Sequence, residues 1–126
     1  MPKVSRESAA EVQDNPMAED RHEEVEGGYT INFVTIRQGH DLGPLLKGLP
    51  DDRCQCPHWG YVFKGKLTWR FADREEVHEA GDAFYVGPGH APEAEEGTEF
   101  VQFSPSDQLR VVEETVMSNV RGMQGG

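Results

Sequence analysis

Short β-type segments, separated by turns that contain glycine or proline, recur at close intervals through the middle of the chain. Residues 29–37 are rich in β-branched and aromatic side chains, 67–72 alternate apolar with polar residues, and 83–86 are wholly apolar or aromatic. Turn sequences at 64–66 and 87–92 separate these segments. Many short strands with such breaks are typical of a β-sandwich or a small β-barrel, so the spacing predicts an all-β domain.

The last part of the chain has a different pattern. Ser104 offers a helix N-cap, Pro105 suits the first helical position, and Asp107 places an acid in the first turn. Apolar residues then recur at helical spacing, at Leu109, Val112, Val116 and Val120. The pattern predicts one C-terminal helix over residues 105–122 that packs on the barrel.

The 126 residues of the chain fit one domain, but the composition is uneven. Residues 1–28 carry eight acidic against three basic side chains and have almost no aromatic or β-branched content. Such a segment cannot bury much apolar surface, so we expect a flexible acidic N-terminal arm or a segment that covers a sheet edge. Residues 29–104 are then assigned to the barrel.

The overall charge excludes some classes of partner. The net charge of −11 argues against binding to nucleic acid or to an anionic membrane surface, because both require clustered basic residues. No apolar run is long enough for a membrane span or for the core of a signal peptide. The sequence therefore predicts a cytoplasmic location.

Three possible metal ligands, Cys54, Cys56 and His58, occupy alternate positions in one segment. In an extended strand, alternate residues point to one face. These are the only cysteines of the chain, and His90 follows in a Gly-Pro-Gly-His turn. In a reducing compartment, closely spaced thiols favour metal binding or catalysis. The pattern predicts that Cys54, Cys56, His58 and His90 bind one metal ion.

The alternative interpretation is that both cysteines are small buried residues and that His58 is a satisfied core histidine. Three donors at alternate positions, together with a turn histidine, favour the metal site. Thiolates with imidazoles suit zinc, and iron(II) or copper(I) are the alternatives, whereas magnesium and calcium prefer oxygen. His78 lies between acids on a hairpin and is expected to be a surface residue rather than a ligand.

The stretch from about Tyr29 to Phe103 resembles the cupin superfamily, and specifically its small, single-domain RmlC-like members. Gly65 matches the glycine that follows the strand of the first cupin motif, and residues 81–90 look like a shortened second motif that ends in His90. The resemblance implies a double-stranded β-helix barrel, or jelly roll. It also implies a bound metal, a small-molecule ligand and a homodimer that pairs through edge strands, with the N-terminal arm crossing to the partner.

The resemblance and the strand alternation select ligand sets that differ in one member. Aligning the first motif on Gly65 favours Asp52, whereas alternation favours Cys56, and both sets contain the other three donors. Pro57 can interrupt a strand, so it weakens the alternation argument at this point. We favour Cys56 because thiolates and imidazoles together suit zinc.

These features predict a metal-binding small-molecule cupin, and they favour a metal-dependent isomerase, lyase or hydrolase with a small organic substrate. The metal would polarise an oxygen atom or lower the pKa of a bound water. The alternatives are a non-catalytic metal or small-molecule sensor, and a domain that a metal merely stabilises. Tyr85, Glu99 and Gln102 are candidates for orienting a ligand, but the sequence identifies no catalytic base.

Overall fold

Ten β-strands and one long α-helix make up most of the computed structural model, which describes residues 3–125. The strands are β1 (Glu11–Asp14), β2 (Ala18–Val25), β3 (Tyr29–Ile36), β4 (His40–Asp41), β5 (His58–Lys64), β6 (Lys66–Arg70), β7 (Glu75–Glu79), β8 (Ala83–Val86), β9 (Ala91–Ala94) and β10 (Glu99–Pro105). The helix α1 spans Ser106–Gly125, and two 3₁₀ segments lie at Gly43–Leu46 and Pro50–Asp52.

The strands form two antiparallel sheets. The larger sheet has the order β1-β2-β3-β10-β5-β8, and the smaller one has the order β4-β9-β6-β7. Neighbouring strands in each sheet are mostly far apart in sequence, as β10 between β3 and β5 illustrates. The prediction of an all-β fold with one C-terminal helix is confirmed.

The main core lies between the inner faces of the two sheets. Alternation along the strands builds it: Leu67 and Trp69 of β6 are buried, and the residues between and beside them are only partly buried. We call the buried set the core cluster, and it consists of Ile36, Val62, Leu67, Trp69, Phe84, Val86, Ala94 and Phe100. Both sheets contribute to it, so its packing holds them together.

Gly65, in the turn between β5 and β6, is a position that no other residue could occupy without strain. Its φ angle is +79°, and a Cβ atom there would lie 2.3 Å from the hydroxyl oxygen of Thr98. Thr98 is fully buried, and its hydroxyl accepts a hydrogen bond from the Lys66 amide at 3.1 Å. This packing explains why a glycine follows the first motif at this point.

Within the predicted N-terminal arm, residues 11–25 form a β-hairpin. Strand β2 pairs with β3 of the same chain along its whole length, from Ala18 opposite Ile36 to Val25 opposite Tyr29. Of the two forms that the sequence left open for this segment, these residues take the edge-covering one. The acidic composition of β2 hid the strand from sequence-based prediction, which relies on apolar side chains. The strand forms nevertheless, because the hydrogen bonds between strands come from the backbone.

Three other boundaries differ from the sequence-based expectation. Strand β5 begins at His58, so Cys54 and Cys56 precede it instead of belonging to it. Strand β10 runs through Ser104 to Pro105, so Ser104 is a strand residue and not the N-cap that its sequence suggested. Strand β9 begins at Ala91, inside the turn predicted at residues 87–92, and it pairs with both β4 and β6.

Helix α1 packs over the segment that precedes β5, as its apolar spacing predicted. Leu109 is buried with four residues from that segment, and Val112 and Val116 pack against them. We call the five buried residues the donor cluster, and it consists of Leu46, Leu49, Cys54, Cys56 and Leu109. The side-chain amide of Asn119 donates hydrogen bonds to the carbonyl oxygens of Leu45 and Lys47, and these bonds fix the helix on that segment. In the part of the chain that the structure describes, no helix is long and apolar enough to cross a membrane.

Candidate metal centre

Three of the predicted ligands lie together inside the protein. Sγ of Cys54 and a ring nitrogen of both His58 and His90 all lie within 4.8 Å of one another, and all three residues are buried. The Cys54 sulfur lies 3.7 Å from Nε2 of His58, and the two imidazole centroids are 5.0 Å apart. Zinc bonds of about 2.0–2.3 Å would need only a small contraction of this triangle.

Backbone hydrogen bonds hold the three donors in place. Cys54 and His90 form an isolated antiparallel bridge, in which the Cys54 amide donates to the His90 carbonyl at 2.8 Å and the His90 amide donates back at 3.2 Å. His58 is the first residue of β5 and pairs with Val86 of β8. Donors that are far apart in sequence thus meet because the sheets bring their backbones together.

The imidazole of His90 presents an unpaired nitrogen to the centre. Its Nδ1 lies 2.6 Å from the Gly87 carbonyl oxygen, which can only accept, so Nδ1 carries the proton. Its Nε2 is buried and has no hydrogen-bond partner in the structure. Leaving such an atom unpaired costs about 1–3 kcal/mol. A metal ion bound between these residues would satisfy it, so the donor set fits a metal.

The His58 ring is held in a similar way. Its Nδ1 lies 2.7 Å from the hydroxyl oxygen of Ser104, which is itself fully buried. Its Nε2 faces the Cys54 thiol. Metal-binding histidines commonly make such a bond from the nitrogen that does not bind the ion, because it fixes the orientation and tautomer of the ring.

Burial sets the protonation states of the donors. Desolvation, and after it the proximity of His90, lowers the pKa of His58 to about 3, and desolvation also lowers the pKa of His90. Desolvation raises the pKa of the Cys54 thiol to about 11, although a backbone hydrogen bond opposes the rise. Both imidazoles are therefore neutral at pH 7, and a metal would bind by displacing the thiol proton.

Cys56 and Asp52 lie outside this group of three. The Cys56 thiol is buried and lies 3.5 Å from the carbonyl oxygen of Pro57, the residue that follows it. The segment from Cys54 to Pro57 precedes β5, so strand alternation does not carry Cys56 to the same face. Asp52 is exposed, and its carboxylate accepts a hydrogen bond from the Gly48 amide at 3.0 Å. The role of Cys56 as a ligand stays a prediction.

The three proposed ligand-orienting residues are divided between the two faces of the larger sheet. Tyr85 alternates with buried neighbours and is exposed on the outer face. Glu99 forms ion pairs with Arg6 and Lys64 at 3.0 and 3.2 Å. Gln102 shares the parity of the buried Ser104 and so lies on the inner face. Of the three, Gln102 alone stays a candidate for orienting a ligand in the barrel interior.

Aromatic side chains border the candidate metal centre on the side that faces the core cluster. The ring centroid of Trp69 lies 5.0 Å from that of His90 and 6.0 Å from that of His58, and the Phe71 ring lies 6.2 Å from His90. Only the pairing of β6 with β9 brings Trp69 beside the histidines, so no local signal could have identified this contact.

His78 was expected to be a surface residue rather than a ligand, and the structure shows it half-buried with its ring facing inward. Its Nδ1 accepts a hydrogen bond from the Trp69 indole at 2.9 Å, and its ring stacks on Phe84 at a centroid distance of 5.0 Å. The acidic residues at the outward positions of β7 give the segment its polar character. For that reason the sequence did not indicate that His78 faces inward. His78 does not belong to the group of three donors.

No protein-family model and no curated protein sequence matches the chain significantly. Solved structures do resemble it. An RmlC-like cupin from Shewanella frigidimarina aligns with a TM-score of 0.56 and 16% identity, over 81% of this chain and 88% of the other. A protein of unknown function from Rhizobium leguminosarum gives 0.60 and 15%, over 82% and 94%. The polyketide cyclase RemF from Streptomyces resistomycificus gives 0.56 and 15%, over 84% and 80%.

These similarities establish the fold. The chain has the β-barrel fold of the RmlC-like cupins, which confirms the resemblance drawn from Gly65 and the turn before His90. Within that fold, it carries a buried cysteine and two histidines in an arrangement that could hold a metal ion. Proteins with this fold include an enzyme as well as a protein of unknown function, so the fold by itself does not define an activity.

Proposed function

We propose that the protein is a metal-dependent cupin that acts on a small organic molecule, with Cys54, His58 and His90 as its metal ligands. One observation carries the proposal: Nε2 of His90 is buried and unpaired beside a thiol and a second imidazole. A protein interior rarely leaves a nitrogen in that state unless a ligand satisfies it.

Zinc is the metal that best suits these donors. One thiolate and two neutral imidazoles form a ligand set typical of zinc, and iron(II) or copper(I) are the alternatives. Three protein ligands leave a fourth position for water or substrate, as in catalytic zinc sites. When bound, such an ion supplies Lewis acidity, which favours isomerase, lyase or hydrolase chemistry.

The surrounding residues would prepare this site. The Ser104 hydroxyl and the Gly87 carbonyl orient the two imidazoles, and Trp69 with Phe71 keeps that side of the centre apolar. One protein with the same fold is a polyketide cyclase, which supports a small organic substrate here.

A non-catalytic metal site is the second candidate, and the burial of the donors favours it. His90 is 0% exposed, and Cys54 and His58 are 4% and 5% exposed. An ion bound there would have little contact with solvent, as in a structural or sensing site. Such a site would bind metal reversibly or stabilise the fold without turnover.

Calorimetric titration of anaerobically purified, metal-free protein with zinc tests the proposed ligands. We expect about one equivalent to bind to the wild type, and Cys54→Ser, His58→Ala and His90→Ala each to weaken binding at least about 100-fold. His22→Gln is the matched control, since this histidine lies on β2, outside the group of three. A wild-type protein that binds no zinc, or an equal loss in the control, would reject the proposal.

A second measurement separates an open site from a closed one. In the cobalt(II)-substituted protein, azide should shift the visible absorption bands if a coordination position is free. An unchanged spectrum at saturating azide would favour the structural or sensing role and would remove the basis for catalysis.

We also propose a homodimer, through the outer face of the larger sheet instead of through edge strands. Six aromatic side chains on this face are each about two-fifths to one-half exposed: Tyr29, Trp59, Tyr61, Phe63, Tyr85 and Phe103. Together they offer roughly 500 Å² of exposed surface, a large part of the about 800 Å² per partner in a typical interface. The N-terminal hairpin pairs with β3 of its own chain, so arm crossing is not part of this proposal.

Light scattering on wild type and a Tyr61→Glu/Phe63→Glu double variant tests the dimer. We expect a dimer for the wild type at micromolar concentration and a monomer for the variant, because two buried carboxylates would oppose association. Val77→Glu provides the control, since Val77 is equally exposed but lies on the smaller sheet. A monomeric wild type would contradict the proposal.

A further inference from the structure

Asn32, on β3, has a buried amide oxygen without a partner. The residue is 2% exposed, and in the described part of the chain no group forms a hydrogen bond with its Oδ1. The orientation of the amide is fixed, because Nδ2 lies 3.1 and 3.2 Å from the two carboxylate oxygens of Asp20, which accept its hydrogen bond. Oδ1 is therefore a buried acceptor that needs a donor, and leaving it unpaired is unfavourable.

Asn32 lies on the inner face of the larger sheet, close to the residue that holds a proposed metal ligand. It shares the parity of the buried Thr30 and lies opposite Gln102, which is two residues before Ser104 on β10. The Ser104 hydroxyl lies 2.7 Å from Nδ1 of His58. From the spacing of strands and of alternate residues, Asn32 lies roughly 8 Å from Ser104. Asn32 and the candidate metal centre are thus within the span of one small organic molecule.

A cavity of about 230 Å³ lies beside Asn32, between the N-terminal hairpin and α1. Two of its lining residues are neighbours of Asn32 on the same face: His22 lies opposite it in the ladder, and Thr30 is two residues before it. The excess of acids in the lining favours a cation over a neutral or anionic group. Four carboxylates line the cavity against two basic side chains: Glu11, Glu23, Glu24 and Glu113 against His22 and Arg110.

A primary ammonium group is the ligand group that best suits Asn32. Oδ1 needs a donor, and the neighbouring Asp20 carboxylate is 26% exposed, so it can accept a further hydrogen bond. An ammonium group has three N–H donors and the positive charge that the acidic surroundings favour. A carboxylate or phosphate group would be repelled by Asp20 and would offer Oδ1 no donor.

We propose that Asn32, with Asp20 beside it, binds the amino group of the substrate, so that the protein acts on a small organic molecule with a primary amine at the end remote from the metal. Asn32 is then a residue that determines substrate specificity. The inference rests on the proposed function, because it places the other end of this substrate at the proposed metal ion.

Three hydroxamate probes test the inference on the zinc-loaded protein. Each probe binds zinc through its hydroxamate, and a six-carbon chain ends in an amine, in a hydroxyl or in a methyl group. We expect the amine to bind at least about 10-fold more tightly than either of the other probes, as for one hydrogen bond to a charged group. Competition calorimetry measures the three affinities. Equal affinity for the amine and either of the other probes would overturn the inference.

Two substitutions at Asn32 test whether this residue causes the preference. Asn32→Leu removes the acceptor and should abolish the preference for the amine, whereas Asn32→Asp keeps an acceptor and should retain it. Both variants should bind zinc as the wild type does, and far-UV circular dichroism verifies that they fold. A preference for the amine that persists in Asn32→Leu would overturn the inference.

A measurement without metal separates this inference from the function on which it rests. In nitrogen-15 spectra of the metal-free wild type at pH 7, the side-chain amide signal of Asn32 should shift when butylamine is added and should not shift with butanol. An unchanged signal would overturn the inference even if zinc binds. A wild type that binds no zinc would reject the proposed function, and the shift with butylamine would then still support an amine site at Asn32.

Discussion

The core cluster lies between the two sheets and contains only aliphatic and aromatic side chains, whereas the donor cluster beneath α1 contains both cysteines of the chain. In the core cluster, the indole N–H of Trp69, a polar group, is paired with His78. Beside the donor cluster, His90 keeps a buried nitrogen with no partner. The two regions are similarly buried, but their polar groups are satisfied to different degrees.

This difference in the pairing of buried polar groups distinguishes a region that stabilises the fold from a region that is suited to bind a metal ion. The core cluster is complete without a ligand, because its contribution comes from apolar area removed from water. Beside the donor cluster, the unpaired Nε2 of His90 costs free energy, and a bound ion would offset that cost. The following predictions test this separation, from the largest expected effect to the smallest.

Leu67→Ala should have the largest effect on stability. Leu67 is 1% exposed in the core cluster, and removing its side chain from a packed interior should lower the free energy of unfolding by about 2–5 kcal/mol. Denaturant unfolding of metal-free protein measures this change. Val77→Ala, on the neighbouring strand and exposed, should change it by less than about 0.5 kcal/mol. Similar losses in both variants would mean that the core cluster does not hold the sheets together.

Zinc should stabilise the folded protein through the other region. At a free zinc concentration 100 times the dissociation constant, the free energy of unfolding should rise by about 2.7 kcal/mol, and a chelator should reverse the gain. Thermal unfolding with and without zinc measures it. Leu67→Ala should keep the zinc-dependent gain, whereas Cys54→Ser should lose it. A gain that disappears in Leu67→Ala but persists in Cys54→Ser would break the distinction between the two regions.

A smaller effect should come from His22, which lies outside both clusters. Interaction with the Asp20 carboxylate raises the pKa of His22 to about 9, against the opposing effect of burial. Its Nδ1 lies 3.6 Å from Asp20, which makes the contact an ion pair and not a hydrogen bond, and Nε2 lies 3.1 Å from Glu11. The long Asp20 contact and the exposure of Glu11 limit the expected contribution to about 1 kcal/mol.

The sign of the His22 effect follows from its raised pKa. The folded state holds the proton more tightly than the unfolded state, so the full contribution is present below about pH 6.5 and is lost as the pH rises through about 9. Urea unfolding of metal-free protein at pH 6 and pH 9 should show this loss in the wild type, and His22→Gln should reduce it. An identical pH dependence in both proteins would exclude His22 as its source.

Much of the fold could be predicted from local patterns. The alternation in β6, the apolar segment of β8 and the helical spacing of α1 all match the structure, and Gly65 marked the turn that the barrel needs. Strand β2 escaped prediction because its acidic side chains carry no apolar signal, although its backbone pairs fully with β3.

The sequence predicted which types of residue form the candidate site, but it did not predict which of the named residues lie together. Cys54, His58 and His90 were named from spacing and from a turn, and the structure brings these three together. Cys56 was named by the same alternation; β5 begins only at His58, so no strand supports that argument, and its role as a ligand stays a prediction. Ser104 was interpreted as a helix cap, since its place beside His58 depends on the pairing of β10 with β5.

The sequence by itself determined that this chain forms a barrel of short strands with a terminal helix, and that it carries thiol and imidazole donors near one another along the chain. Only the tertiary structure decided which donors meet, that Nε2 of His90 is left without a partner, and which groups hold the two rings. The physical reason is that strand periodicity is a local property of the backbone. The geometry of the site depends instead on hydrogen bonds between strands, such as the bridge between Cys54 and His90, that are far apart in sequence.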